Sequence, residues 1–447
     1  MKRPFLLKIL KNKKMEIFNK PFVQVTVPPF EKQSSQNIIK AEKLLDLIKD
    51  EKFKEVIIKH YDLSSLDFHI NIGNIGTAYK YVEYVSNIYE YVSLWSSNNH
   101  VEAFFVEPEE ITNKPELYFK FDFLNDDDGL VYDELNAKVE YDSASMFYND
   151  RELSKYVNYL KSKSNKTLSN LTDRNILIND VNSSWKRQYE RSPSSVQERK
   201  FRFLKDKKGN YFLRSITSKA YKEYGVSFCF VIAMLSLHKA MQNDKGLNLE
   251  INSLSLNESK IDIMVSSGNP VFVDEISQFI SSSILIKNND LGDRSLSFTH
   301  SLKLTPLQNN ENTIFLFPKF KDNEIKYKMS TSHVTGVENV LLLFDNLSSV
   351  IYSIDDYIKD FKNIATTNTP DELRAKIEEK IDNINSPFKG ITRLRDLFKR
   401  SSFQHIDNLA KLLQVCQKAE MIDMDYDLKF KLRYLISNVL LYGKNNY

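Results

Sequence analysis

The sequence has only two cysteines among 447 residues, Cys229 and Cys416, too few for a disulfide framework or for a zinc site built from thiolates alone. This scarcity fits a reducing cytoplasm. Long apolar runs are also missing: the longest, FCFVIAMLSL from Phe228 to Leu237, falls far short of the ~20 residues of a membrane-spanning helix, so a buried helix and no membrane partner are expected. The seven histidines are dispersed without His-x-His or His-Glu-x-x-His spacing, and there is no Gly-x-Ser-x-Gly elbow, phosphate-binding loop or three-glycine dinucleotide fingerprint. Most hydrolase and nucleoside-triphosphatase classes thereby lose their basis, the balance leans away from an enzyme, and no residue set calls for a cofactor or a resident metal. The net charge of +3 is too small for the whole chain to act as a polyelectrolyte binder.

What is present is an ordinary globular composition, 42% apolar and 12% aromatic against 27% charged, with length enough for two or three domains. Residues 1–14, MKRPFLLKILKNKK, form a basic segment with six cations and no acid, and Lys8 interrupts its apolar stretch, which makes a poor signal peptide. Residues 15–182 read as a mixed region. A helical stretch NIIKAEKLLDLIKDEKFKEVIIKHY precedes alternating segments, and YFKFDFLNDDDGLVYDEL predicts strands at 117–124 and 130–133 about an acidic loop. SSWKRQYERSPSS at 183–195 combines serine, proline and charge as a boundary does.

Residues 183–335 then read as a central domain. RKFRFLKDKKGNYFLRS predicts a hairpin, an apolar helix follows at 226–241, and LEINSLSL, KIDIMVS, PVFVDEI, SSSILI, SLSFTHSLKL and TIFLFPK predict a mainly antiparallel sheet. From 336 to 447 the periodicity is helical, with Thr369 as an N-cap and Pro370 at the first helical position. The fold class expected is α+β: a mixed N-terminal region, a central antiparallel sheet with a buried helix, and a helical C-terminal domain.

Charge is unevenly distributed. Residues 101–150 hold fourteen acids and three bases, while residues 183–224 hold twelve bases and four acids, local balances of −11 and +8. The basic window interleaves Trp185, Tyr189, Phe201, Phe203, Tyr211, Phe212, Tyr221 and Tyr224, the mixture with which cations hold phosphates and rings stack on bases. The competing arrangement puts the rings in a core and pairs the acidic and basic segments within the molecule. Strand alternation favours it for Phe201 and Phe203.

Other features carry less. Gly73-Asn-Ile-Gly76 has the outline of a backbone-binding Gly-x-x-Gly loop but lacks its basic residue, and a tight turn opening a helix explains it. That helix is read as carrying Tyr79, Tyr81, Tyr84, Tyr89, Tyr91 and Trp95 into a core. NDDDGLVYDEL fails as a calcium loop, since aligning Gly129 to its sixth place puts Leu124 first and Leu135 twelfth. Asp293 with Glu324 and Lys326 approximates the Asp and Glu-x-Lys of a magnesium nuclease.

FLRSITSKAYKEY, carrying Arg214, Ser218 and Tyr221, is followed by IKNNDLGDRSLSF, carrying Asn288, Asn289, Asp290 and Gly292. Together these segments resemble the paired signatures of an uncharacterised phage and plasmid protein family, over about residues 199–305. The family's Cys-containing Asn-Gly stretch is absent here. The resemblance implies a mobile-element setting and a link to nucleic acid. The first expectation is therefore a cytoplasmic protein that binds single-stranded nucleic acid through Lys186, Arg187, Arg199, Lys200, Arg202, Arg214, Ser218 and Tyr221, beside a polar loop of Asn288, Asn289, Asp290, Gly292, Asp293 and Arg294. The alternatives are a protein-interaction or assembly component using the helical C-terminal domain, with charge asymmetry driving homo-oligomers, and the nuclease.

Overall fold

The computed structural model describes residues 22–27, 37–63, 68–107, 115–148, 151–162, 170–291, 296–306, 313–317, 328–347, 358–359, 369–400 and 406–442. In chain order its elements begin with β1 (Val25–Val27), β2 (Ile38–Lys40), α1 (Ala41–Leu45), α2 (Glu51–His60), β3 (His69–Asn71), α3 (Ile75–Ser86), β4 (Glu90–Ser97) and β5 (Val101–Val106). There follow β6 (Glu116–Phe121), β7 (Leu124–Asn125), β8 (Val131–Tyr132), β9 (Leu135–Val139), α4 (Ser143–Phe147), α5 (Arg151–Lys161) and α6 (Leu171–Arg191). Next come β10 (Glu198–Lys205), β11 (Tyr211–Thr217), α7 (Gly225–Asn243), β12 (Leu249–Leu256), β13 (Lys260–Ser267), β14 (Val271–Val273), β15 (Gln278–Asn289), β16 (Leu296–Pro306), β17 (Ile314–Leu316) and β18 (Lys328–Thr331). The chain closes with α8 (Val337–Asp345), α9 (Pro370–Asp382), α10 (Thr392–Phe398), α11 (Leu409–Glu420) and α12 (Tyr426–Tyr442). The class is α+β.

Two compact units share these elements with interleaved sequence, unit 1 built chiefly from Tyr84–Tyr224 and Asn289–Arg294 and unit 2 from Gln24–Glu83, Gly225–Asn288 and Ser295–Tyr447. Unit 1 centres on an eight-stranded sheet in the order β5-β6-β9-β11-β10-β4-β7-β8. Its pairs are antiparallel except β9 with β11, which run parallel. Burial alternates residue by residue along β5 and β6, because one face is covered and the other wet. The covered face packs Phe119, Phe121, Phe201 and Phe203 against Phe147, Ile178, Val181 and Trp185 of α4 and α6. Each such side chain contributes roughly 1.5–3 kcal/mol by burial. Asn170 caps α6, its side chain accepting from the Asp173 N–H at 2.7 Å.

Unit 2 holds a sheet in the order β1-β12-β13-β15-β16-β17, with β14 added on β15 and β18 on β16, and a two-stranded β2–β3 ribbon. The strands β13 and β15 are buried almost without interruption, as covering on both faces requires. α7 is apolar and long enough to cross a membrane by length and composition; its residues from Phe228 to Leu237 are buried in unit 2, as the run predicts for a core helix. Helices α9 to α12 spend their apolar faces on this unit: Leu373, Ile377, Leu412, Leu413, Ile436 and Val439 share one cluster with Ile280, Leu302, Leu304 and Leu316 of the sheet.

Several expectations change. The 37–61 stretch is not one helix but β2, α1 and α2, with Asp50 capping α2 through the Phe53 N–H at 3.1 Å. Tyr91 and Trp95 lie on β4, not on the helix, which ends at Ser86. The 117–124 strand stops at Phe121, and Leu124–Asn125 pairs separately with Val131–Tyr132. Residues 183–191 continue α6, so serine-rich composition there marks an exposed helix face rather than a linker. Gly73 does open α3, and it does so by close approach: it bridges Glu250 in parallel register, and a Cβ on it would lie 2.6 Å from the Glu250 Cβ. Asn74, at φ 66°, donates from Nδ2 to the Ile251 carbonyl at 2.9 Å.

Candidate functional site

The two segments that carry the resemblance meet in unit 1. Arg202 on β10 and Arg214 on β11 are each 1% exposed. Arg202 donates from Nε to Glu223 Oε2 at 2.9 Å and from Nη1 to the Asp290 carbonyl at 2.9 Å, and Arg214 donates from Nη2 to Glu223 Oε1. The guanidiniums lie over rings, Arg202 at 4.9 Å from the Tyr221 centroid and Arg214 at 5.1 Å from that of Tyr91. Ser215 Oγ donates to the Leu291 carbonyl at 2.8 Å, and Asn289 Oδ1 accepts from the Leu291 N–H at 3.0 Å in an Asx turn. Burial, and then the negative charge of Asp290, push the Tyr221 phenol well above its ordinary range.

This geometry is internal. A phosphate could reach either guanidinium only by displacing Glu223, a carboxylate already bonded to both. Asn288, Asn289 and Asp290 are buried as well, Asn288 Nδ2 donating to the Gly225 carbonyl at 3.3 Å within unit 2. Gly292, Asp293 and Arg294 lie outside the described residues, as do Glu324 and Lys326. Among the described residues no group of three or more His, Cys, Asp or Glu side chains could hold a metal ion.

The remaining cations of the expected surface are also engaged. Lys186 pairs with Glu102, and Lys200 with Asp127 at 2.7 Å, so two bases of the 183–224 window pair with acids of the 101–150 window. Arg199 donates to the Met146 carbonyl at 3.1 Å and to Gln197 Oε1 at 3.0 Å. Ser218 is exposed and its carbonyl accepts from the Tyr221 N–H at 3.2 Å. Arg187 is exposed and donates from Nε to the Ser183 carbonyl at 3.3 Å. Trp185, Tyr189, Phe201, Phe203 and Tyr224 are buried, so they offer no stacking platform.

What stays on the surface of unit 1 is a pair of turns with one architecture and opposite charge. Residues 126–130, Asp-Asp-Asp-Gly-Leu, join β7 to β8, and residues 206–210, Asp-Lys-Lys-Gly-Asn, join β10 to β11. In the first, Asp126 Oδ1 accepts from the Asp128 and Leu130 N–H groups at 3.0 and 2.8 Å. In the second, Asp206 Oδ1 accepts from the Lys208 and Asn210 N–H groups at 2.8 and 2.9 Å. Each turn places glycine at positive φ, 82° for Gly129 and 87° for Gly209. Backbone hydrogen bonds to Asp206 from Asn210 and Lys208, with the Asn210 side chain, hold its carboxyl below the usual range against the opposing effect of burial.

The acidic turn is braced further. Trp95 Nε1 donates to Asp127 Oδ1 at 2.6 Å, and Lys200 Nζ lies 5.1 Å from the Trp95 ring centroid. Desolvation raises the Asp127 carboxyl, and the hydrogen bonds from Lys200 and Trp95 outweigh it and hold that carboxyl low. Beside this fixed turn Phe123, Leu130 and Val131 stand 44%, 61% and 51% exposed. Lys207 and Lys208 are exposed at the other turn.

Glu223 did not figure among the sequence candidates; the 126–130 turn figured only as a failed calcium loop and the 206–210 turn only as part of a hairpin. Glu223 had no signal beyond its place after Tyr221, whereas Asp-x-x-Gly occurs at both turns. No family model matches the chain, and neither a curated protein sequence nor a solved structure does.

Proposed function

We propose that this chain is a protein-interaction and assembly component, acting through the acidic, apolar-flanked turn at 126–130. The observation that carries the reading is the exposure of Phe123, Leu130 and Val131 on a turn whose backbone and Asp127 side chain are pinned. Large apolar side chains carried on a fixed backbone cost less ordering on binding than those of a mobile loop, and the carboxylates of Asp126 and Asp128 beside them select a basic partner. The 206–210 turn of a second copy supplies such a surface, in the same backbone shape. The two turns leave strands that run in the same direction: the acidic turn follows Asn125, level with Lys200 through Trp95, and the basic turn follows Lys205 further along. About five residues of strand separate them along β10, roughly 17 Å, about two Debye lengths at ~0.15 M salt. They therefore do not neutralise each other within one molecule, and head-to-tail association follows.

The phage- or plasmid-type setting and a cytoplasmic location belong to this proposal and rest on the resemblance and the cysteine usage. The test is static light scattering across salt. Mass that falls from low to high salt, and that Lys207→Glu with Lys208→Glu abolishes at low salt, supports the reading; a mass indifferent to both removes it. Binding of single-stranded nucleic acid is the second reading, favoured by the exposure of Arg187, Arg191, Lys207, Lys208 and Lys219. Retardation of oligonucleotides at low salt, weakened in the combined Arg187→Ala, Arg191→Ala and Lys219→Ala variant, would favour it over assembly.

A further inference from the structure

The strand β5 ends the sheet of unit 1, pairing with β6 on one side among the described strands. Its other side presents no strand among the described residues, and the backbone there is satisfied by two asparagines of α6. Asn182 Nδ2 donates to the Ala103 carbonyl at 2.8 Å while its Oδ1 accepts from the Ala103 N–H at 3.1 Å. Asn175 repeats the arrangement on Phe105, donating to its carbonyl at 3.0 Å and accepting from its N–H at 2.7 Å. A carboxamide that donates and accepts on one residue reproduces what a neighbouring strand's backbone does in a hydrogen-bonded antiparallel pair. The asparagines stand about two helical turns apart on one face of α6, and they serve alternate residues of β5, those that point their polar groups the same way. The Lys186–Glu102 pair and the Arg174 guanidinium, 5.8 Å from the Phe105 ring centroid, extend the seam at either end.

We infer that β5 is a latent strand-addition edge for a second copy of this chain, and that α6 is the strap that keeps it closed. VEAFFV is rich in β-branched and aromatic residues, and an unguarded edge of that kind recruits other strands. The edge is self-complementary. In an antiparallel β5–β5 pair centred on Phe104, Ala103 of each copy faces Phe105 of the other, and the same four backbone groups per chain that the asparagines satisfy are satisfied by the partner. Opening the strap leaves both amides in water, where they need no protein partner, and lifts Ile178, Val181 and Trp185 of α6 from the covered face. This edge is independent of the charged turns, and at high salt, where charge-driven association is screened, a rise in mass that a change on β5 reverses reports strand addition.

The full chain carrying Asn175→Ala and Asn182→Ala is compared with the wild type at high salt by light scattering and circular dichroism. Twice the wild-type mass, returned to the wild-type value when Ala103→Pro is added to remove one outward N–H, is the expected result. A folded double variant with the wild-type mass overturns the inference. Should the double variant not fold, hydrogen exchange at Ala103 in the Asn182→Ala variant decides. Protection that rises with protein concentration supports strand addition, and exchange independent of concentration contradicts it.

Discussion

His300 on β16 is fully buried, with Ser282 Oγ of β15 at hydrogen-bond distance, 3.1 Å, from its Nε2. Burial pushes its titration down from 6.5 to about 4, so the imidazole is neutral in the fold across the physiological range. In the unfolded chain the same ring takes up a proton below its ordinary value. Between these two values the unfolded state binds more protons than the native one, so stability rises with pH across the window. The contribution is complete above pH ~6.5 and is lost as pH falls toward ~4, at up to about 1.4 kcal/mol for each pH unit, or about 3 kcal/mol over the window.

His300→Gln keeps a hydrogen-bonding side chain near Ser282 and removes the titration. Urea unfolding of wild type and variant at a series of pH values from neutral to mildly acidic gives the comparison, because carboxylates common to both cancel in the difference. The wild type should lose about 3 kcal/mol more than the variant. Parallel pH dependences would refute the assignment of a neutral buried imidazole.

Two further substitutions probe the frame. Gly73→Ala forces a Cβ onto the Glu250 side chain and should cost about 2–3 kcal/mol, read as a lowered unfolding midpoint; a change under ~0.5 kcal/mol would show that β12 yields freely. Glu223→Ala leaves the Arg202 and Arg214 guanidiniums buried beside each other and should cost about 3–5 kcal/mol by urea unfolding, with Glu223→Gln intermediate; a neutral result would mean that another carboxylate already balances the pair.

The legible parts of this chain were those where one physical pattern acts alone. β5 and β6 alternate because one face of their sheet is wet, Thr369 and Pro370 start α9 as a capping residue and a preset φ dictate, and the β10–β11 hairpin follows from its aromatic runs around a glycine turn. β15 was harder to bound, since a strand buried on both faces carries Ser281, Ser282 and Ser283 where apolar residues are expected. Ser283 Oγ donates to the Val265 carbonyl at 2.8 Å, and Ser282 Oγ lies within hydrogen-bond distance of His300 Nε2.

The site was legible only as a meeting of two segments. Arg202 and Arg214 read as surface cations because strand alternation does not say how deep a sheet lies, and Glu223, the acid that neutralises them, lies two residues past Tyr221 with nothing in the sequence to pair it with them. Asn175 and Asn182 carried no signal, since asparagines on a helix ordinarily face water. The C-terminal helices, the alternative partner surface, place apolar faces on the sheet of unit 2.

The assembly reading is tested most directly by a charge-swap mixture at low salt. One variant carries Lys207→Glu and Lys208→Glu, the other Asp128→Lys, and neither contains both an acidic and a basic turn at full strength. Each variant alone should scatter as the unassociated chain, while their equimolar mixture should form a complex of two chains and no larger, because only one complementary interface survives. A mixture that stays unassociated, or variants that associate as the wild type does, would contradict the account.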